Sequence, residues 1–597
     1  MNLYIVFSII FLFGKSVTSV LTDSSNWSWT CQQKTGRCER VPIDQINSDE
    51  RFASNPQSLN VCRLTCGHYG ALWPVPTVST SLGQRLVPFL PSAINFDLQD
   101  ARSESLSYLK EMTAIFISNL EKECGSNCNI QSDTKVTVYI SINSKDTTLG
   151  PDTNESYNLE ISTQMSTIYV QIQADTVFGA RHALETTTQL VAKYQEPYSD
   201  HTVANSGLLM VGSARIIDKP VYPHRGLLLD TARNYLPIRT IKKQIDGLAA
   251  SKMNVLHWHA TDSQSFPIES KRVPQLSRYG AYSSKQIYTF ADIVAIIRYA
   301  KYRGVRVIME IDAPSHAGNG WEWGPSAGLG NLAVCVNKNP WRQYCIQPPC
   351  GQLNPANPNV FTILGELYKE IVEVFPKEEY FHMGGDEVFI PCWNSTEEIV
   401  SYMQSKDLGR TTEDFLKLWS QYQVNSLEKY DNATGTSRTS MIVWSSHLTE
   451  PDVIEKYLPK NRYIIETWVP TTNDLPARLL EKGYRLIIST KNAWYFDHGF
   501  WGNTQYYTWR TVYKNRIPRD KGVLGGEVCM WGELVDEASV EPRVWPRAAA
   551  AAERLWSDPD TDTAAHLAGV VRMKENVCNI NLITYLNILA MSKTNFK

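Results

Sequence analysis

Apolar positions recur along the chain at two spacings, and the pattern changes near residue 218. Residues 136–142, 157–162 and 167–174 alternate apolar and polar side chains, the period of strands with one solvated face. Residues 176–194 repeat their apolar positions at helical spacing, which predicts an amphipathic helix. A turn at Ile217-Asp-Lys-Pro220 closes this α+β stretch. Beyond it come eight short apolar runs, each followed by a helical stretch: 226–230, 254–259, 305–312, 380–387, 441–444, 463–468, 485–489 and 523–531. Runs without alternation suit strands buried on both faces of a parallel sheet. Eight strand-then-helix units predict an α/β fold, a (β/α)8 barrel preceded by a small α+β domain. The rival is a doubly wound open sheet; the first strand-helix turn lacks the GxGxxG that often marks one.

The predicted organisation is a signal peptide over 1–20, a Cys-rich segment over 21–70, an α+β domain over 71–218 and the barrel over 219–597. The apolar run 3–13 is too short to span a bilayer, and it lacks a preceding positive charge. Cleavage is expected near Ser19 or Val20, and no other segment has 18 uninterrupted apolar residues. The expected destination is the secretory pathway, extracellular or lysosomal, without a transmembrane segment. Twelve cysteines, all downstream of that run, suit disulfides in an oxidising compartment. Sequons at Asn26, Asn154, Asn394 and Asn432 are candidate glycosylation sites. With 58 Lys and Arg against 61 Asp and Glu, no basic excess exists to neutralise a phosphate backbone, so nucleic acid is not an expected partner. Trp and Tyr number 17 and 29, as a packed core needs and as sugar-binding clefts also need.

A barrel does its chemistry at the C-terminal ends of its strands. Those ends hold Asp230, His259, Asp262, Asp312, His316, Asp386, Glu387, Trp444, Trp468, Tyr495, Asp497, Trp531 and Glu533. Asp386 and Glu387 follow two glycines. Adjacent carboxylates on extended chain point in different directions, and their repulsion favours one staying protonated. A protonated carboxyl is what a glycosidic oxygen needs in order to leave. Trp444, Trp468 and Trp531 close three separate strands and could box in a methyl-bearing group. Arg233 offers a donor fork for hydroxyls or carboxylates. A second chemistry is a metallohydrolase built on His257-Trp-His259 with Asp262, His316 and His382. A third possibility is a catalytically silent glycan-binding or adhesion protein that keeps the aromatic box. No G-x-S-x-G nucleophile elbow occurs.

Four motifs in order, Arg225-Gly-Leu-Leu-Leu-Asp-Thr-Ala-Arg233, His257-Trp-His-Ala-Thr-Asp262, His382-Met-Gly-Gly-Asp-Glu387 and Gly525-Gly-Glu-Val-Cys-Met-Trp-Gly-Glu533, resemble the β-N-acetylhexosaminidases of glycoside hydrolase family 20. The Cys-rich N-terminus and Cys345-Ile-Gln-Pro-Pro-Cys-Gly-Gln352 resemble the insect branch. The resemblance implies exo-acting, retaining, substrate-assisted hydrolysis of terminal N-acetylglucosamine or N-acetylgalactosamine, from glycoconjugates or chitin oligomers. It implies Glu387 as general acid and base, Asp386 as acceptor of the acetamido N–H, and Tyr495 as donor to its oxygen. Trp444, Trp468 and Trp531 would enclose the methyl. Arg233 and Glu533 would hold ring hydroxyls, Asp497 would lie near the 6-hydroxyl, and Asp262 and His316 would support Glu387. No metal or cofactor is implied, and a homodimer is expected. Relatives specialised for chitin oligomers carry Val-Glu where this chain has Ile346-Gln347, and a longer Trp-bearing loop where residues 498–508 hold only Trp501. Residues 318–330 form a longer loop than theirs. A broader hexosaminidase is therefore expected. Asp497 would also repel a sulfated sugar.

Overall fold

The computed structural model describes residues 27–42, 58–98, 103–126, 128–195, 206–375 and 379–560. The expected signal peptide, Asn26 and Cys578 lie outside them. Trp27–Gln32 and Arg37–Pro42 pair as an antiparallel hairpin. Cys31 and Cys38 face each other across it, yet each bonds elsewhere, to Cys66 and Cys62 around the short helix Leu59–Arg63. Five disulfides form among the described residues, the others joining Cys124 to Cys128, Cys335 to Cys392 and Cys345 to Cys350.

Next comes a six-stranded mixed sheet, in the order Ser79–Leu82, Ala214–Asp218, Tyr157–Gln164, Thr167–Ala174, Lys135–Ile142 and Ile94–Asp97. Its alternating strands bury one face in a core shared with helices Ser103–Cys124 and Val177–Gln189. The second helix starts at Thr176, whose hydroxyl accepts the Gly179 N–H. It stops at Gln189, short of the predicted end. Val191–Gln195 is a strand pairing with Ser206–Val211, because tertiary pairing of these β-branched and aromatic residues overrides local helical spacing.

The eight apolar runs form the eight parallel strands of a closed barrel: His224–Asp230, Val255–Thr261, Arg306–Ile311, Phe381–His382, Met441–Trp444, Tyr463–Thr467, Arg485–Ile488 and Val523–Met530. Closure of the first strand on the eighth, with Leu227 opposite Val528, excludes the open sheet. Inward side chains stack in layers down the axis, as alternate residues must. Val255, Ile308, Ile442, Ile464 and Ile487 plug the end where the strands begin. His257, Glu310, His382, Glu466 and Glu527 form a buried charged layer above them. Leu228, Trp444, Tyr495 and Cys529 floor the open end, with Trp468 and Trp531 packed on them. Gly226 makes room for this filling, since a Cβ there would stand 2.5 Å from the Glu527 side chain.

A polar seam joins the N-terminal domain to the foot of the barrel. Glu155 accepts from Arg225 at 2.7 Å and faces His182 at 2.8 Å. Lys252 pairs with Asp218 at 3.0 Å, and Trp556 donates to the same carboxylate. Among the described residues no helix is long and apolar enough to cross a membrane.

Candidate active site

The site grows from the fourth strand, which ends after two residues. Gly384, Gly385 and Glu387 then take left-handed backbone angles, φ +63°, +92° and +50°. The backbone around Asp386 and Glu387 is thus left-handed at three of four positions and not the extended chain predicted. The reason is Asp312. Its Oδ1 accepts the Gly385 N–H at 3.1 Å and fills the space a Cβ on Gly384 would need, at 1.8 Å. The glycines therefore admit a neighbouring carboxyl. Burial, and then the Asp386 charge beside it, push that carboxyl well above the usual carboxylate range.

One face of Glu387 meets His316, whose Nε2 lies 3.4 Å from it and 3.9 Å from Asp386. His316 is itself left-handed at φ +53° and turns Nδ1 toward Asp262 at 3.3 Å. Asp262 also takes Arg233 at 2.8 Å and His259 at 3.0 Å. Arg233, paired in addition with Asp230 at 3.2 Å, lies over the Trp531 ring at 5.0 Å. The structure thus brings together Arg233, Asp262, His316, Asp386 and Glu387, from the first four strand ends.

Ionisation in this site runs against one expectation. Burial raises Glu387, but the hydrogen bond and charge of His316, with Arg233 and Lys491, outweigh it and leave its carboxyl below the usual range. Burial pushes Asp386 up to about 6, with His316 opposing and the Glu387 charge adding. One of the pair does hold a proton more tightly, but in the free site it is Asp386.

The other half of the ring comes from strands five to eight. Trp444 donates its backbone N–H to Gly384, at 2.9 Å, and its indole N–H to Glu310, at 2.7 Å. Its ring lies 5.7 Å from that of Trp531, which is 6.2 Å from Tyr495. Trp468 is fixed by its indole N–H on the Ser445 carbonyl, at 2.7 Å. Burial keeps the Tyr495 phenol far above its normal range, so it remains a donor. Together these rings form an apolar cluster near the carboxylate pair. At its rim Gln347 bridges two expected sugar ligands, donating to Glu533 at 2.8 Å and accepting from Arg233 at 3.1 Å. The Cys345–Cys350 disulfide closes the short loop that carries Gln347. Trp501 donates to Asp497 at 2.9 Å, tying its loop to the site. In the 318–330 loop, Trp321 and Trp323 are buried.

Burial and the Glu533 charge push Asp497 up to about 7. At acid pH it is neutral, and the expected repulsion of a sulfate weakens. Four atoms of the site are buried without a hydrogen-bond partner: Arg233 Nε, Glu533 Oε2, Asp497 Oδ1 and Asp386 Oδ1. Such orphans are costly and call for an explanation.

The histidines read as metal ligands have another occupation. His257 meets Glu310 at 3.0 Å and Glu527 at 2.9 Å, and His259 meets Glu310 at 2.5 Å. Ligand atoms around a tetrahedral zinc stand about 3.3 Å apart, given bonds of about 2.0–2.1 Å. These contacts are all shorter than that spacing, and His257 with Glu527 and His259 with Glu310 are hydrogen-bonded, so shared protons suit the geometry better. Glu310, Glu466 and Glu527 had no place among the predicted site residues. Each stands mid-strand in an apolar run, where only inward alternation could have singled it out. Of the sequons, Asn154 is exposed and bonds to Asp175, Asn394 accepts from Arg410 at 2.6 Å, and Asn432 is exposed on helix Thr412–Thr434.

Comparison with known proteins agrees with this architecture. Residues 222–559 match the glycosyl hydrolase family 20 catalytic domain, and residues 72–190 match a beta-acetyl hexosaminidase-like domain. A chitooligosaccharidolytic beta-N-acetylglucosaminidase of Bombyx mori is 38% identical over 575 residues, covering 93% of this chain and 92% of that one. The beta-hexosaminidase subunit beta of Homo sapiens is 36% identical over 450 residues, 74% of this chain and 69% of its own. The X-ray structure of a Flavobacterium johnsoniae chitobiase superposes with a TM-score of 0.64 at 25% identity, over 85% of this chain and 72% of that one. The chain therefore belongs to glycosyl hydrolase family 20 and is a glycoside hydrolase.

Proposed function

We propose that this enzyme is an exo-acting, retaining β-N-acetylhexosaminidase that uses the substrate's own acetamido group as nucleophile. What supports the reading is an aromatic cluster, taken as the walls of an apolar box, near a carboxylate pair with unpaired buried polar atoms around it. A 2-acetamido sugar answers each of them. Its methyl fills the box, its N–H supplies Asp386 Oδ1, and its hydroxyls supply Arg233, Glu533 and Asp497. Tyr495 donates to the acetamido oxygen and holds it toward the anomeric carbon. That oxygen attacks C1 while Glu387 gives its proton to the departing glycosidic oxygen, leaving a bound oxazolinium ion. Glu387 then takes a proton from water, whose oxygen opens the ring at C1 with net retention.

The proton must lie on Glu387 for the first step, opposite to the free site. Substrate supplies the change. An N–H donated to Asp386 stabilises its anion, while the sugar covers Glu387, whose side chain is 23% exposed, and removes water from it. Gln347 and the short Trp501 loop support a broad specificity for terminal N-acetylglucosamine or N-acetylgalactosamine. Passage through the secretory pathway and self-association go with this reading.

The test is hydrolysis of aryl β-N-acetylglucosaminide and aryl β-glucoside by the purified protein and by Glu387→Gln. Cleavage of the acetamido sugar alone, with kcat lowered about 10²–10⁴-fold in the variant, is expected. A protein that binds N-acetylglucosamine and cleaves neither glycoside would instead be a lectin-like one.

A further inference from the structure

Behind the site, carboxylates and imidazoles alternate in a line that runs inward from the part-exposed Glu387. Glu387 faces His316, His316 faces Asp262, Asp262 faces His259, and His259 faces Glu310 at 2.5 Å. Carboxylates only accept, so His259, between two of them, must donate from both ring nitrogens and carries a full charge. Glu310 is the far end of this line and is wholly buried. Its Oε2 takes His259 and lies 3.0 Å from His257 Nε2, while its Oε1 takes the Trp444 indole N–H at 2.7 Å. One rigid carboxylate therefore holds both a wall of the acetamido box and the root of the chain that supports the acid.

We propose that Glu310 is a positioning residue, locking the box and the support of Glu387 into a single frame. The inference rests on the reading of the site as a hexosaminidase. Its physical ground is the pair of opposed demands on one side chain. Trp444 and His259 each present an N–H, and each needs an acceptor at a fixed place. A carboxylate offers two acceptor oxygens on one planar group. A carboxamide offers one acceptor, and its NH2 would confront the remaining donor. Either the indole or the imidazole would then swing away, carrying the box wall or the Asp262–His316 support with it.

Glu466 provides the comparison, because it is an equally buried carboxylate in the same layer that shares His257 and His382 with Glu310 but bonds to Ser489 where Glu310 holds His259 and the Trp444 indole. It accepts from Ser489 at 2.7 Å and faces His382 at 3.4 Å and His257 at 3.8 Å. General consequences of replacing a buried carboxyl in this layer, and of disturbing the shared His257 and His382, appear in both variants, whereas loss of the acceptor for the Trp444 indole and His259 appears only at Glu310.

The experiment measures kcat and KM for wild type, Glu310→Gln and Glu466→Gln on two aryl β-N-acetylglucosaminides, one with a good leaving group and one with a poor one. Acid assistance matters more for the poor leaving group. Glu310→Gln is expected to lower kcat about 10–100-fold, the scale seen when a supporting partner of a functional group is removed. KM should change less than about threefold, and the poor leaving group should suffer more. Placing Glu310→Gln on Glu387→Gln should cost almost nothing further, as for groups that act as a unit. Equal losses for both leaving groups, no larger than those of Glu466→Gln, would overturn the proposal and leave Glu310 a packing residue. If Glu310→Gln does not fold, Glu310→Asp keeps the charge but is one methylene too short to reach both donors, and the same two comparisons decide. A wild type inactive on both substrates overturns the hexosaminidase reading and this inference with it, whereas an active wild type with an unaffected Glu310 variant overturns this inference alone.

Discussion

Asp497 shows how far a single residue can be read from sequence. Its place after Tyr495 marked it as a candidate, but its ionisation depends on residues brought from elsewhere. Asp497 and Glu533 belong to different strand ends, and the pairing of strands seven and eight makes them neighbours. The folded carboxyl titrates at about 7, above the unfolded value of about 3.9. Between those values the unfolded chain releases the proton while the folded protein retains it, so stability falls as pH rises from about 4 to about 7. Asp497→Asn removes this slope, which amounts to at most about 4 kcal/mol. Thermal unfolding at pH 5 and pH 8 should show a smaller drop in Tm for the variant than for wild type. Equal drops would mean that Asp497 ionises freely in the folded protein. Glu310 was missed for a related reason: inside an apolar run a lone Glu gives no sign of what it will face.

At the scale of elements, runs of apolar residues located all eight barrel strands, because burial on both faces leaves a mark in local composition. Where an element stops was less legible. The helix after Thr176 ends early because Val191–Gln195 finds a strand partner in the next element, Ser206–Val211. The fourth strand ends early, where Gly384 and Gly385 turn left-handed and the Asp312 carboxyl occupies the space beside Gly384. Gly384→Ala would combine a left-handed backbone with a Cβ inside that carboxyl. We expect a loss of about 2–4 kcal/mol, seen as a lower urea midpoint with an unchanged m-value. A stability like that of wild type would show that the turn can rebuild itself without Asp312.

On the scale of the whole molecule, the seam between the two domains depends on Glu155. It serves Arg225, His182 and Asn254, all buried. Glu155→Ala leaves Arg225 without its carboxylate and should cost about 3–5 kcal/mol at pH 7. Burial raises the Glu155 carboxyl, but Arg225 and His182 pull it down to about 2, below its ordinary 4.5. Its contribution is therefore complete above pH 4.5 and is lost as pH falls toward 2. Chemical denaturation should show the full deficit of the variant at pH 7 and a smaller one at pH 3. A deficit independent of pH would assign the loss to packing alone. No part of this seam was predicted, since residues 155, 182 and 225 lie in separate segments.

Sequence alone determined the strand count, the order of a small α+β domain before a barrel, and the residue types at the strand ends. Those follow from local periodicity and composition, which each segment carries without its partners. Only the tertiary structure decided which cysteines pair, where the backbone before Asp386 and Glu387 turns left-handed, and which carboxyl holds the proton more tightly. It alone built the line from Glu310 to Glu387. These are properties of distance and dielectric between residues far apart in the chain, and folding sets both.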